Sequence, residues 1–220
     1  SQGSWLHRIE NGLIVAVFGA MIILPLVNAI GRPFKFALIG HSEYIRHLVL
    51  WLSFLGGLLA TRQRKHLRFS TAEFLSDSPA GRALNVFSMG MAAAISTIMA
   101  YSSWLVVEAN RSLIEGSQTA SVLPFGIPEW VSESIMPVAL ALMALRFVYQ
   151  ASPKWGGRVV ALVLMVGLTS ILKVPEVVEG WIWPIAGLII FTAILGVPVF
   201  AAMAGLALVF YMADGTPVSA

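Results

Sequence analysis

"HLVLWLSFLGGLLATRQRKHLRF", residues 47–69, runs from an apolar stretch of Leu, Trp, Phe and Gly straight into the basic cluster Arg62, Arg64, Lys65, His66 and Arg68. With the residues just before it, the apolar part reads as a helix over 44–61. That approaches the roughly 20 residues needed to cross about 30 Å of hydrocarbon. Lipid leaves no partner for unpaired backbone groups, so a run of this length in a membrane must be helical. The abrupt basic end reads as the point where such a helix leaves the bilayer on its cytoplasmic side.

The rest of the chain agrees. Of its 220 residues 58% are hydrophobic and 11% charged, against roughly a quarter charged in an ordinary soluble domain. Six apolar segments stand out, at about 9–31, 44–61, 83–107, 131–149, 156–174 and 181–212, each long enough to be a span. The expected fold is therefore all-α, an integral membrane helical bundle of about six transmembrane helices. The last segment exceeds what a bilayer needs and contains Gly196-Val197-Pro198. It is expected to tilt, to kink at the proline, or to continue into an interfacial stretch.

Charge sets the orientation. With the N-terminus in the cytoplasm, the tail and the loops after spans two and four carry Arg8, Arg62, Arg64, Lys65, Arg68, Arg82, Arg146, Lys154 and Arg158, nine of the 14 basic residues. The opposite loops hold Arg32, Lys35, Arg111 and Lys173, so both termini are expected inside. Because the basic residues flank apolar runs, the net charge of +3 points to topology and membrane lipids as partners, with no nucleic acid. Most of the tryptophans fall near span ends, where they suit interfacial anchoring.

Ionisable groups inside a membrane are the usual mark of an ion or substrate path, and the first, third and sixth spans carry none near mid-depth. Cysteine is absent, which removes disulfides, thiolate metal sites and cysteine nucleophiles. No HExxH, phosphate-cradling loop or nucleophilic triad is present, so no enzyme is indicated, and neither a catalytic nor a metal site is expected. His7 and His66 flank the cytoplasmic side while His41 and His47 lie near the outer end of span two, which disfavours paired haem ligands at one depth. Asn28, the amide of the first span, is expected to make a helix-end hydrogen bond rather than to bind an ion.

The candidate contact residues are Glu43, Arg46, Trp51, Gly56, Ala60, Arg62, His66 and Arg68. Glu43, Arg46 and His47 lie at i, i+3 and i+4 and can pair on one helix face. Glu108 and Arg111 repeat the i, i+3 spacing. Gly56 with Ala60, Gly90 with Ala94 and Ala201 with Gly205 are small residues four apart, a spacing that lets helices approach closely.

The order Glu43, Trp51, Gly56, Arg62, His66, read E-x7-W-x4-G-x5-R-x3-H, resembles the small membrane subunit of tripartite ATP-independent periplasmic (TRAP) transporters. "LPFGIPEWVSESIMPVALALMALR", residues 123–146, resembles that family's outer loop and fourth span, with Pro128, Trp130, Pro137 and Arg146 in order. Residues 181–217, above all "ILGVPVFAAMAGLALVFYMADGTPVS", resemble the start of the large membrane subunit. The resemblance implies a small-subunit-like four-helix region at 1–152, a linking transmembrane helix at 153–178 and a large-subunit-like start at 179–220. It further implies a bacterial inner-membrane scaffold for sodium-driven uptake of small organic acids, carboxylates or sialic acid. The partners implied are a periplasmic binding protein and the elevator-type large subunit, separate or in the same polypeptide; sodium is expected in that subunit and no cofactor in this chain. The competing reading is an interaction or haem-bearing anchor subunit of another membrane complex.

Overall fold

The computed structural model describes residues 3–34, 40–63, 79–116, 122–123, 126–172, 180–194 and 197–213, and they are almost entirely helical. In chain order they form α1 (Gly3–Gly31) with a 3-10 turn (Arg32–Phe34), α2 (His41–Gln63) and α3 (Pro79–Gly116). A two-stranded hairpin follows, β1 (Val122–Leu123) and β2 (Ile127–Pro128), and then α4 (Glu129–Glu133), α5 (Ile135–Ala151) and α6 (Trp155–Leu172). The last two helices are α7 (Ile182–Ile194) and α8 (Val199–Ala213).

Among the described residues four stretches are long and apolar enough to cross a membrane: His7–Phe34, His41–Arg62, Pro79–Ser112 and Glu129–Ala151. These are the first four expected spans. The fourth is α4 running into α5 through Ser134, whose N–H still donates to the Trp130 carbonyl at 3.0 Å. The two later segments yield three shorter helices instead, so four spans are found by length and composition where six were expected.

The chain divides into two compact units, one of Ser1–Leu59 with Trp104–Ala139 and one of Ala60–Ser103 with Leu140–Ala220. In the first, α2 starts from Gly40, whose φ of 74° reaches a region that side chains disfavour. Its carbonyl accepts from the Glu43 and Tyr44 amides at 3.1 and 3.2 Å, opening the helix. The hairpin pairs Val122 with Pro128 and Leu123 with Ile127. Gly126, at φ 78°, closes its turn by donating to the Leu123 carbonyl at 3.0 Å. Pro128 then leads into α4 with an extended backbone, φ −61° and ψ 136°, the geometry proline is built for.

The second unit is packed through small side chains. Every residue of α3 from Ser88 to Ser96 is buried, with Ala92, Ala93 and Ala94 fully so. A side chain at Gly90 would begin 3.0 Å from Leu164 Cβ, so α3 and α6 meet closely there. A side chain at Gly205 would begin 2.8 Å from Ile95 Cδ1 and 3.3 Å from Ile189 Cδ1, which puts α8 hard against α3 and α7. Phe147 of α5 stacks on Phe200 of α8 with ring centroids 6.1 Å apart.

The last expected span is not one continuous helix. Trp183 near the start of α7 lies edge-on to Phe210 near the end of α8, centroids 6.5 Å apart. Midway along, Ile189 faces Gly205. Contacts whose numbers rise on one helix as they fall on the other define an antiparallel pair. The chain therefore reverses around Val197-Pro198, instead of tilting, kinking or continuing along the interface as expected. Val197 and Pro198 are buried there, and neither leaves an N–H unpaired. Val197 N–H donates to the Thr192 carbonyl at 3.0 Å, and Pro198 has no N–H to satisfy. At 1.5 Å per residue α7 is about 20 Å long and α8 about 22 Å, each shorter than the hydrocarbon core.

Candidate functional site

The expected contact residues fall into separate groups. In the first unit the outer end of α2 meets α4. Arg46 Nη2 lies 2.8 Å from Glu43 Oε2, the i, i+3 pair expected from the sequence, and 3.4 Å from Glu129 Oε1 in the first turn of α4. Arg46 and Glu43 are well exposed, so their pairing adds little energy. Glu129 is the better buried member, and it also faces His47, whose Nε2 sits 4.0 Å from Glu129 Oε1. That is too far for a hydrogen bond. His47 is 7% exposed and neither of its ring nitrogens has a hydrogen-bond partner.

One turn further along α2, Trp51 Nε1 donates to both the carbonyl and the hydroxyl of Ser132 at 3.0 Å. Trp51 thus ties α2 to α4. From α3, Asn110 Nδ2 donates to Glu133 Oε2 at 2.7 Å, and the Arg111 guanidinium lies 5.7 Å from the Trp130 ring centre. The five residues of α4 are together too few to hold a helix unaided, and these cross-links from α2 and α3 position them.

Ala60 and Arg62 belong to the second unit and are both half-buried. Next to Arg62, the Thr61 carbonyl accepts from Gln150 Nε2 of α5 at 2.9 Å. Asn85 Nδ2 of α3 donates to the Ala151 carbonyl at 2.8 Å, and Arg158 Nε of α6 to the Ser152 carbonyl at 3.0 Å. The last carbonyls of a helix lack partners within it. Here side-chain amides and a guanidinium of neighbouring helices supply partners, joining the ends of α2 and α5 to the starts of α3 and α6.

The small-residue pairs diverge. Gly90 with Ala94 and Ala201 with Gly205 are buried at close approaches, whereas a side chain at Gly56 would meet nothing within 4 Å. Asn28 is buried in α1. His66 and Arg68 lie outside the described residues. Glu129, Ser132, Asn110, Gln150 and Asn85 were not singled out from the sequence. The quoted stretch 123–146 contains Glu129 and Ser132, but their partners are 83 and 81 residues away, beyond any local spacing rule.

Between α3, α6, α7 and α8 lies a cavity of about 180 Å³, lined only by apolar side chains and Gly205. Charged residues of the described helices sit toward their ends. The middle of α3, Ala83–Val107, and all of α7 and α8 carry none.

Helices of this length and composition, tied by polar contacts at their ends and packed by small residues, define a multi-pass helical membrane protein. The family model for "Tripartite ATP-independent periplasmic transporters, DctQ component" matches residues 21–157. The chain belongs to that family and is a membrane component of a TRAP transporter, a system in which this component works with a large membrane subunit and a periplasmic binding protein. No curated protein and no solved structure matches it.

Proposed function

We propose that the chain is the fixed scaffold of a sodium-coupled importer of small organic acids, carboxylates or sialic acid, in the bacterial inner membrane. It supports an elevator-type large subunit that receives substrate from the periplasmic binding protein. The observation that carries this reading is the confinement of charge to helix ends. A chain with its own substrate or sodium path would need polar groups converging at mid-depth, and its spans are built instead for mutual packing. The large-subunit-like α7 and α8 favour a large subunit beside or continuous with this chain.

Gentle purification of the natural polypeptide from its own membrane tests the proposal. A large hydrophobic subunit is expected to accompany it, or its mass to exceed 23.7 kDa. Reconstituted vesicles should then take up an organic acid only with the binding protein and a sodium gradient. Isolation without a large subunit, together with a Soret band, would replace the scaffold with a haem-bearing anchor.

Orientation follows from the same reading. With the N-terminus inside, four spans return the chain to the cytoplasm at Ala151. The 18 residues of α6, about 27 Å long, supply a fifth crossing. The α7–α8 hairpin comes back to the side it left, so Ala213 faces the periplasm, which revises the cytoplasmic end expected from the sequence. The chain has no cysteine, so single replacements report cleanly. Ser219→Cys is expected to react with an impermeant maleimide in spheroplasts while Lys154→Cys stays protected. Protection of both cysteines would restore a single last span.

A further inference from the structure

We propose that the end of the second unit where α2 and α5 finish and α3 and α6 begin is a binding surface for anionic phospholipid headgroups. The cross-helix hydrogen bonds gather its cations. Gln150 on Thr61 brings the end of α5 to Arg62, and Asn85 on Ala151 brings the first turns of α3, with Arg82, to the same place. Arg158 on Ser152 folds the start of α6 back onto the α5–α6 connection. Gly157 permits this closeness, because a Cβ there would collide with the Ser152 side chain and lie 3.5 Å from Val86.

Two further observations select the partner. The described residues of this unit include Arg62, Arg82, Arg146, Lys154 and Arg158 and not a single Asp or Glu, so among them the field is of one sign. Such a patch is complementary to a phosphate-bearing surface, with each basic residue near a membrane worth about 1 kcal/mol. The Arg158 guanidinium lies 4.0 Å from the Tyr149 ring centre and 6.0 Å from that of Trp155. Trp155 is 79% exposed at the start of an apolar helix, the kind of position where aromatic rings sit between headgroups and acyl chains. This places an exposed lysine, an exposed aromatic ring next to it and a positioned cation three residues further on at one helix start, the arrangement of a lipid site. A topology signal needs only the charges, in any arrangement.

The full chain in detergent tests this, with thermal unfolding followed by tryptophan fluorescence. Phosphatidylglycerol is expected to raise the melting temperature and phosphatidylcholine to leave it unchanged, and raising the salt should abolish the difference. Arg82→Gln with Lys154→Gln removes two exposed charges without disturbing the hold of Arg158 on Ser152. It should weaken the apparent phosphatidylglycerol affinity on the order of 30-fold. Arg32→Gln, in the first unit, should leave the affinity at the wild-type value. Equal stabilisation by the two lipids in wild-type protein would overturn the proposal without recourse to any variant. So would full protection by inorganic phosphate alone, or wild-type affinity in the double variant.

Discussion

The two units hold themselves together by different means. In the first, side-chain hydrogen bonds reach between helices: Trp51 to Ser132, Asn110 to Glu133, and Arg46 to Glu129. In the second, much of the contact is made by what is missing from the side chains, with Gly90, Ala92, Ala93, Ala94, Ala201 and Gly205 allowing close approach. The contrast extends to α1 and α3. The apolar window of α1 is only 11% buried in the protein, that of α3 61%. In water the order would be the reverse, but lipid tails solvate Ile and Phe as well as any core does. Burial here follows residue size and shape more than hydrophobicity.

The largest expected effect probes the packed unit. Gly205→Leu drives a branched side chain into Ile95 and Ile189 and should cost about 3 kcal/mol or more, seen as loss of folded protein or a steep fall in melting temperature. A mild effect there would mean that α8 yields easily and that the contrast is overstated. Trp51→Phe removes both hydrogen bonds to Ser132 while keeping the ring, and a loss of about 1 kcal/mol is expected in reversible detergent unfolding. A double-mutant cycle with Ser132→Ala separates the hydroxyl contact from the carbonyl one.

Ser96 tests the packed unit from the other side. Its hydroxyl is buried without a hydrogen-bond partner, so Ser96→Ala should be neutral or stabilising by up to about 1 kcal/mol. A clear loss of stability would show that the hydroxyl does hold something. The smallest effect belongs to α1, where Gly19 has nothing within 4 Å of a new Cβ. Gly19→Leu should stay within about 0.5 kcal/mol of wild type in the isolated chain. A larger loss would mean that α1 is packed more tightly than its exposure indicates.

Hydropathy revealed the four long spans because a helix must stay apolar for as long as it is in lipid. It understated α3, expected over 83–107 and found over Pro79–Gly116, because the ends of a helix that lie beyond the hydrocarbon need not be apolar. It also concealed the reversal within 181–212, since an apolar run carries no sign of direction. Gly196-Val197-Pro198 was the visible signal, and it marked the right place with the wrong geometry. Equal spacing likewise gave unequal outcomes: Gly90 and Gly205 lie at close contacts while Gly56 does not, because what faces a glycine is decided by a distant part of the chain. The Glu43–Arg46 pair was legible from local helix geometry; the link from Trp51 to Ser132 depended on a loop closure that no short motif records.

The α7–α8 hairpin also constrains the order in which this protein is made. Neither helix alone covers the hydrocarbon thickness, so neither can rest in lipid as a finished span. The pair must enter the bilayer together, its turn already closed by Thr192 and Val197, against a groove of α3 and α6 that the ribosome has delivered earlier. Biogenesis of this end of the chain is therefore a docking event following insertion of the four long spans and α6, and the fit of Gly205 against Ile95 is the contact that completes it.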